Sequence, residues 1–336
     1  MHAVPMLRRI SPVADLISVC RLFFLLRRIR PDLIQTHTPK GGLLGMIASW
    51  VTGTPVRIYT INGLVWIALS GWRRALLMST ERLACKLATD VIAVSESMRR
   101  IAIDLRVCPA HKIRVLGFGA SHGVDTARFD PEVAYPAGMR LRARLGVPEN
   151  ALLLTYVGRL TREKGIEELA VAWQQLNSEF ENLHLLLCGT WEDRVPVSPS
   201  TVETLGASPR VHFARGEPAE MPAFYAASNL CVLPTWREGL PNVALEAAAM
   251  NRAIVATKVP GCIDAIQDGV TGLLVEPRNA ADLAAALRRL LSDQPLCQRM
   301  GERARQIVLE RFREEVVSER LAIEYRRLLN SANCGQ

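Results

Sequence analysis

Residues 233–246 limit the possible folds of this chain more than any other segment. Their sequence is LPTWREGLPNVALE, which joins an apolar run to an alanine-rich segment. Within it, Gly239 allows backbone to approach a ligand closely, and Pro241 is favoured at the first position of a helix. The pattern therefore predicts a strand, a loop and a helix. Glu238 would lie in the loop and Glu246 more than one turn into the helix.

The same stretch combines groups that suit a nucleotide sugar. A helix N-terminus offers unpaired N–H groups and a positive dipole to a phosphate. Ionised carboxylates accept hydrogen bonds from sugar hydroxyls. Glu246 lies among alanines, where a carboxylate needs a partner or a ligand. The alternative interpretation is that Glu238 is a solvated loop residue and Glu246 an ordinary residue of the helix surface.

A second loop, residues 157–165 with the sequence VGRLTREKG, follows a predicted strand. Ligands of open parallel sheets bind beyond the carboxyl ends of the strands, so Arg159 and Lys164 would project into a cleft. Two cations there suit a diphosphate, the arginine as a fork and the lysine as a point charge. The alternative is a solvated charged turn. The presence of Glu238 and Glu246 elsewhere in the chain favours the diphosphate site.

Segments with strand and helix patterns alternate along the chain, which predicts parallel sheets covered on both faces. Because 336 residues exceed the size of a single core, we expect two domains. The predicted fold is α/β, with two doubly wound Rossmann-like domains facing a ligand cleft. The predicted strands are 32–37, 56–61, 91–95, 113–118, 152–157, 184–188, 211–214, 231–233, 254–257 and 273–276. The predicted helices are 12–30, 41–48, 70–88, one from 96, 139–145, 166–178, 219–228, 241–250, 261–267, 280–292, 296–310 and 315–329.

The alternation is interrupted between Gly119 and Pro148, which indicates a connection between domains. We therefore predict a first, acceptor-side domain at residues 1–120 and a connection at 121–150. A nucleotide-sugar-binding domain would follow at 151–312, and a last helix at 313–330 would pack across the domains.

Charge is distributed unevenly along the chain. Residues 1–140 carry 19 Lys and Arg against 9 Asp and Glu, or +10, whereas residues 141–336 carry 22 against 24, or −2. A basic half favours an anionic partner, which could be nucleic acid, phospholipid head groups or a diphosphate-bearing substrate. No zinc-finger, RRM or KH pattern supports nucleic acid. The eight cysteines lack CxxC spacing, which indicates buried thiols in a reducing cytoplasm and no metal site.

The stretch from Glu238 to Glu246 resembles the E-x7-E motif of family-4 glycosyltransferases, which have the GT-B fold. Supporting matches lie at 36–40, 91–97, 123–129, 158–165 and 269–275, so the resemblance covers nearly the whole chain. It implies a retaining, metal-independent transfer of a sugar from a nucleotide diphosphate donor, without a cofactor.

The resemblance also implies roles for individual residues. Glu238 would hold the donor sugar, Glu246 the ribose, and Arg159 and Lys164 the diphosphate. The remaining donor-binding positions would be Gly158, Gly239, Leu240, Pro241, Asn242 and Val243, and the candidate acceptor or cleft residues are His37, Lys40 and Asn62. For His37 the alternative is a loop residue that caps the next helix.

Two departures from the family pattern bear on activity. Members usually begin with a strand, a glycine-containing loop and a helix, so the resemblance implies that this chain, which starts at Met1, lacks the first βα unit. Relatives often carry His where this chain has Asn62, and an amide cannot serve as a general base. Because the leaving phosphate can act as the base in a retaining mechanism, these departures do not exclude activity.

The function expected from these observations is transfer of a hexose or N-acetylhexosamine, from a UDP-linked donor, to a glycan or lipid-diphosphate-linked acceptor in surface polysaccharide synthesis. Two alternatives stay open: a truncated, non-catalytic relative that binds nucleotide sugar, and a sugar-nucleotide epimerase. The basic, aromatic segment 65–78 suits either a membrane surface or a core helix with a basic solvent face. With no apolar run of about 18 residues, we expect a cytoplasmic protein, peripheral on the inner face of the plasma membrane.

Overall fold

The computed structural model of the protein describes residues 3–7, 11–193 and 195–334. The chain start at Met1 lies outside these described residues. The chain divides into two units. Unit 1 consists of Met1–Ser121 and Glu315–Gln336, and unit 2 is His122–Glu314.

The described part of unit 1 contains a parallel sheet of four strands. These are β1 (Leu33–His37), β2 (Val56–Ile61), β3 (Asp90–Ala93) and β4 (Ile113–Arg114), which pair in that order. The helices that alternate with them are α1 (Pro12–Ile29), α2 (Pro39–Val51), α3 (Gly71–Leu87) and α4 (Glu96–Asp104). A 3-10 turn at Val65–Ala68 precedes α3.

The described part of unit 2 contains a parallel sheet of six strands. These are β5 (Leu152–Val157), β6 (Leu183–Cys188), β7 (Val211–Ala214), β8 (Leu230–Leu233), β9 (Ile254–Thr257) and β10 (Gly272–Val275). Its helices are α5 (Pro131–Leu145), α6 (Ile166–Glu179), α7 (Pro199–Ala207), α8 (Met221–Ala227), α9 (Asn242–Ala249), α10 (Cys262–Ala265), α11 (Ala280–Ser292) and α12 (Gln294–Arg311). The last helix is α13 (Glu314–Cys334).

The order of strands in unit 2 creates a crevice. The sheet reads β10-β9-β8-β5-β6-β7, and all neighbouring strands are parallel. The chain runs outward from β5 to β7, then returns to the other side of β5 and continues to β10. Loops that follow β5 and β8 therefore leave the sheet in opposite directions, and a crevice opens between them at the carboxyl ends of the strands.

Both sheets are buried on two faces, as expected for parallel sheets covered by helices. In unit 1, Tyr59 and Val91 pack with Trp66 on one face, whereas Ile58 and Ile92 belong to a cluster on the other. In unit 2 the largest cluster combines strand residues with Trp173 of α6 and with residues of α11. Each fully buried aliphatic side chain contributes about 1.5–3 kcal/mol to folding.

The last helix packs on unit 1. Leu328 lies in the cluster formed by Val56, Ile58 and Ile92. Glu324 accepts a hydrogen bond of 2.7 Å from Arg114. The sequence predicts a helix at 313–330 packed across the domains; the structure extends it to Cys334, and these contacts join it to the β1–β4 sheet.

The segment predicted as a connection, residues 121–150, contains more helix than the sequence predicts, and its residues from His122 onward belong to unit 2. The sequence predicts a short helix at 139–145, but α5 begins at Pro131. Asp130 caps it by accepting hydrogen bonds from the N–H groups of Glu132 (2.9 Å) and Val133 (3.2 Å). Pro136 lies inside the helix and argues against it in sequence, because proline removes one helical hydrogen bond.

Two further elements differ from expectation. The strand predicted at 113–118 ends at Arg114, because a turn follows in which the N–H of Gly119 donates to the carbonyl of Leu116 (3.0 Å). Helix α7 was not predicted. Its signal is Ser198 followed by proline, since the Ser198 hydroxyl accepts from the N–H of Thr201 at 3.3 Å.

The described helices include none that is long and apolar enough to cross a membrane. The seven described cysteines are free thiols, and six of them are buried; Cys20 in α1 is the exposed exception. The expectation of buried thiols is therefore confirmed for those six.

Candidate active site

The two loops singled out in the sequence meet at the crevice of unit 2. β5 pairs with β8, with Tyr156 opposite Val232, so the segments that follow these strands are neighbours. The N–H of Trp236 donates to the carbonyl of Glu163 at 2.9 Å. Gly165 lies so close to Pro234 that a Cβ there would collide with the proline carbonyl. Tertiary structure thus brings residues 158–165 and 234–241 into one site.

Lys164 and Glu238 form an ion pair within this site. Their side chains are only 17% and 16% exposed, so the two charges are largely removed from water. Each of the two groups therefore neutralises the charge of the other. Both groups could exchange partners, the lysine for a phosphate and the carboxylate for sugar hydroxyls.

Arg159 is half exposed and lies between two carboxylates. It pairs with Glu192, which follows β6, and it lies 3.4 Å from Glu163. Glu163 also accepts two hydrogen bonds, of 2.8 and 3.0 Å, from Arg237. The sequence interpretation missed Glu192 and Arg237. A usable signal for Glu192 is its position after β6, because the carboxyl ends of adjacent parallel strands lie at one edge of the sheet.

The N-terminus of α9 faces the same end of the sheet. The helix begins at Asn242, so Pro241 occupies the N-cap position rather than the first helical position expected from the sequence. Gly239 is buried, and a Cβ on the adjoining Gly261 would collide with its carbonyl. Val243 precedes the first intrahelical bond, which runs from Ala244 to the Pro241 carbonyl at 3.0 Å. The first N–H groups of a helix are those that have no intrahelical acceptor.

Glu246 is partly buried one turn further along α9, and it has a partner that the sequence did not suggest. The phenol of Tyr225 in α8 donates a hydrogen bond of 2.8 Å to its Oε2 atom. Burial raises the pKa of Glu246 above its ordinary value, while the hydrogen bond from Tyr225 and the charge of Arg128 lower it. The Oε2 atom of Glu246 thus accepts a hydrogen bond within the protein, and Oε1 is the candidate acceptor for a ligand.

Another contact involves the loop that precedes α5. His122 Nε2 lies 3.2 Å from the side-chain nitrogen of Asn242. Both residues belong to unit 2. Asn242 is therefore positioned by a residue 120 positions earlier in the chain.

The candidate residues of unit 1 separate into two places. His37 ends β1 and Asn62 follows β2, so the pairing of these strands brings the two side chains to 3.5 Å between His37 Nδ1 and Asn62 Nδ2. Burial lowers the pKa of His37, and the contact with Asn62 raises it. Lys40 instead forms an ion pair of 2.5 Å with Asp15 of α1. Among the described residues there is no group of three or more His, Cys, Asp or Glu side chains that could hold a metal ion.

Comparison with known proteins assigns the chain to a family. The family model "Glycosyl transferases group 1" matches residues 139–307, which include the whole crevice of unit 2. The model "Glycosyl transferase 4-like domain" matches residues 1–119. The chain belongs to the group 1 glycosyltransferases. The resemblance drawn from the motifs is thereby confirmed, and the protein is a glycosyltransferase enzyme.

Two curated relatives of this glycosyltransferase illustrate its neighbourhood. The capsular polysaccharide biosynthesis glycosyltransferase CapM of Staphylococcus aureus is 32% identical over 98% of this chain and 86% of its own length. The Escherichia coli UDP-Gal:alpha-D-GlcNAc-diphosphoundecaprenol alpha-1,3-galactosyltransferase is 26% identical over 86% of this chain and 74% of its own length.

Solved structures share the fold of this glycosyltransferase. Sucrose-phosphate synthase from Thermosynechococcus elongatus superposes with a TM-score of 0.79 at 24% identity, covering 98% of this chain and 82% of that one. Anabaena HepE, solved in complex with UDP-glucose, has a TM-score of 0.78 at 23% identity and covers 94% of this chain and 84% of that one. The α/β architecture with two parallel sheets, predicted from the sequence, is confirmed.

Proposed function

We propose that this glycosyltransferase transfers a hexose or N-acetylhexosamine from a UDP-sugar to a glycan or lipid-diphosphate-linked acceptor, with retention of the anomeric configuration. The product would contribute to a surface polysaccharide. One observation carries the proposal: Lys164 and Glu238 adjoin each other at the crevice between β5 and β8, beside the N-terminus of α9.

The proposed roles follow from charge. Lys164, Arg159 and the first N–H groups of α9 would neutralise the diphosphate, on which negative charge develops as the glycosidic bond breaks. Backbone atoms of Gly158 and of residues 239–243 would contact the donor. These positive groups would supply the stabilisation without a metal ion, and turnover that persists in EDTA is the expected result.

The two glutamates would hold the two sugars of the donor. Glu238 would accept hydrogen bonds from hydroxyls of the transferred sugar, and Glu246 from hydroxyls of the ribose. The hydrogen bond from Tyr225 supports the ribose role of Glu246, because it fixes one oxygen of the carboxylate and thereby its orientation. The ionised form of Glu246 is the better acceptor.

In the proposed reaction the bond from the anomeric carbon to the phosphate oxygen breaks, and a bond to the acceptor oxygen forms on the same face. The proton of the acceptor hydroxyl goes to the leaving phosphate oxygen. The amide of Asn62 takes up no proton, which is consistent with the phosphate acting as the base. His37 and Asn62 are candidate acceptor contacts on unit 1.

The choice of UDP and of the acceptor rests on the relatives. The HepE structure contains UDP-glucose, and the E. coli relative is named for a UDP-galactose donor and a diphosphoundecaprenol acceptor. CapM is named for capsular polysaccharide biosynthesis. We transfer these chemistries to this protein as proposals.

A lipid-linked acceptor requires access to a membrane surface, and α3 has a face that suits one. Trp72, Leu76 and Leu83 are 71%, 43% and 41% exposed, at a spacing that puts them on one side of the helix. Arg73, Arg74 and Lys86 are exposed on the same helix, whose one acidic residue is buried against Tyr59. Apolar side chains flanked by cations fit an anionic lipid bilayer, so we propose peripheral binding at the cytoplasmic face of the plasma membrane.

The proposed function is tested with purified protein, a panel of UDP-sugars and a diphosphate-linked saccharide acceptor. We expect transfer from one UDP-sugar, with a product whose anomeric configuration, read by NMR, matches that of the donor. An inverted product would contradict the proposed mechanism. Conversion of a donor to its epimer in the absence of acceptor would support the epimerase instead, which family membership already disfavours.

A further inference from the structure

The ion pair between Arg159 and Glu192 has a consequence for the diphosphate. Glu192 is not one of the family-motif residues. It nevertheless accepts a hydrogen bond from the guanidinium of Arg159, which would neutralise the diphosphate of the donor. Its side chain is 24% exposed, and that of Arg159 is 51% exposed. Within the described residues, Arg159 is the cation that pairs with Glu192.

The backbone holds Glu192 in this position. The N–H of Leu160 donates to the carbonyl of Thr190 at 2.9 Å, and Leu160 and Trp191 form an isolated parallel bridge. The ring of Trp191 lies 6.0 Å from that of Phe213 in β7. The segment after β6 is thus held against the loop after β5 and against β7. Glu192 can therefore pair with Arg159 without the entropy cost of fixing a mobile loop.

The other carboxylate beside Arg159 does not depend on it. Glu163 accepts two short hydrogen bonds from Arg237, so its charge is balanced when Arg159 turns to a ligand. Glu192 lacks such a second cation among the described residues. When Arg159 binds a diphosphate, Glu192 loses its cationic partner. Its carboxylate then either turns away or remains beside the phosphates as an uncompensated negative charge.

We propose that Glu192 competes with the donor diphosphate for Arg159. Glu192 pairs with the guanidinium when no donor is bound and releases it when donor binds. It pairs with the guanidinium again as the nucleoside diphosphate product leaves. Both displacement and charge repulsion weaken diphosphate binding, and they act on the nucleoside diphosphate product as well as on the donor. Glu192 is therefore a positioning residue that favours product release. This inference rests on the proposed binding of a nucleotide diphosphate by unit 2.

The test is calorimetric titration of UDP into the wild-type protein and into Glu192→Gln, which keeps the size of the side chain and removes its charge. Exposed ion pairs are worth up to about 1 kcal/mol, so we expect the Kd for UDP to fall by up to about fivefold in the variant. The difference should shrink as ionic strength rises. Binding of uridine, which has no phosphate, should not change.

Glu179→Gln is the matched control. It breaks a similar ion pair, with Arg288 at 2.5 Å, but Glu179 ends α6 and lies at the far end of that helix from the crevice. This variant should bind UDP as the wild type does. Unchanged or weaker UDP binding by Glu192→Gln, with a wild type that binds UDP, overturns this inference alone. A wild type that does not bind UDP overturns the donor assignment and this inference together.

Discussion

Lys164 and Glu238, 74 residues apart in the chain, form a largely buried ion pair at the crevice between β5 and β8. The two side chains that we propose for the diphosphate and for the donor sugar therefore neutralise each other. In the proposed donor complex, this contact would be replaced by one contact to each half of the substrate.

Replacing Glu238 with Gln should slow transfer strongly and retain nucleotide binding. The amide still accepts a hydrogen bond but carries no charge, so contacts that strengthen in the transition state are lost. We expect kcat to fall by about two orders of magnitude, measured as release of UDP in the presence of acceptor. Because Lys164 is freed, UDP should bind at least as tightly as before. Turnover equal to that of the wild type would remove Glu238 from the site.

Replacing Lys164 with Ala should act on both substrate binding and the fold. It deletes the cation proposed for the diphosphate and leaves the Glu238 carboxylate without its partner in a poorly hydrated place. We expect UDP to bind about tenfold or more weakly, and thermal unfolding at a lower temperature than in the wild type. Lys86→Ala, at an exposed lysine of α3 in unit 1, is the control. Equal UDP affinity in Lys164→Ala and the control would contradict the assignment.

Replacing Tyr225 with Phe should change the pH dependence of nucleotide binding. Burial raises the pKa of Glu246, and the phenol counteracts this by donating to the carboxylate. Without the phenol the pKa of Glu246 should rise further, so the ionised acceptor is lost at a higher pH on acidification. We expect the acid limb of the UDP affinity profile, measured by calorimetry, to move to higher pH. The loss of one hydrogen bond to a charged group should also cost about 1.5–3 kcal/mol of stability.

The comparison ligand for this experiment is a UDP analogue that lacks the ribose hydroxyls. If Glu246 binds the ribose, the analogue should bind wild type and Tyr225→Phe with the same pH profile. An analogue that is as sensitive to the mutation as UDP would show that Tyr225 acts through the fold and not through ribose binding.

A histidine pair at the opposite end of the unit 2 sheet should make stability depend on pH. Nδ1 of His184 in β6 lies 2.9 Å from Nε2 of His212 in β7, with the rings stacked. One nitrogen must donate and the other accept, so this contact is incompatible with two protonated rings. Burial is the main cause that lowers the pKa of each histidine.

The sign of the effect follows from these lowered pKa values. The unfolded chain binds more protons than the folded one once the pH drops below about 6.5, so stability should fall as the pH decreases from there. Urea unfolding at pH 7.5 and at pH 5 measures this. His212→Phe keeps an aromatic ring and removes the second titrating group, so its loss of stability on acidification should be smaller. An equal loss in both proteins would contradict the role of the pair.

Replacing Trp72 and Leu76 together with Ala should release the protein from membranes. These exposed side chains are the apolar part of the proposed lipid-binding face of α3, and their removal exposes no core. In flotation with vesicles containing anionic phospholipid, we expect the wild type to float and the variant to stay in the dense fraction. Val171→Ala in combination with Val202→Ala, two exposed apolar residues of unit 2, is the control. Wild type that fails to float would exclude this surface.

Much of the fold was accessible from the sequence because local patterns record it. The strand at 152–157 and the helix at 280–292 were predicted at their observed bounds, since an apolar run and a helical repeat mark them directly. The misjudged elements depend on nonlocal contacts. Helix α5 tolerates Pro136 because its other side packs on α8, where Gly138 abuts Ala226, and no local pattern announces that contact.

The candidate site divides in the same way. Glu238, Arg159 and Lys164 could be singled out because they are charged residues in loops after strands. Glu246 could be singled out because it is a carboxylate in an alanine-rich helix. Glu192 was missed although its position after β6 is a usable signal. Arg237 and Tyr225 gave no such signal, because their significance comes from their contacts with Glu163 and Glu246. Lys40 was singled out because it follows β1, whereas its ion pair with Asp15 of α1 is visible only in the structure.

Local patterns in the sequence are enough to predict the class of fold and the charged groups of the candidate site: parallel sheets covered by helices, a helix N-terminus, two cations and two carboxylates. The pairing of these groups follows from the tertiary structure. The reversal of strand order at β5 and β8 puts Lys164 against Glu238 and the end of β6 beside Arg159. Periodicity and composition act over a few residues, whereas such pairings depend on which strands become neighbours.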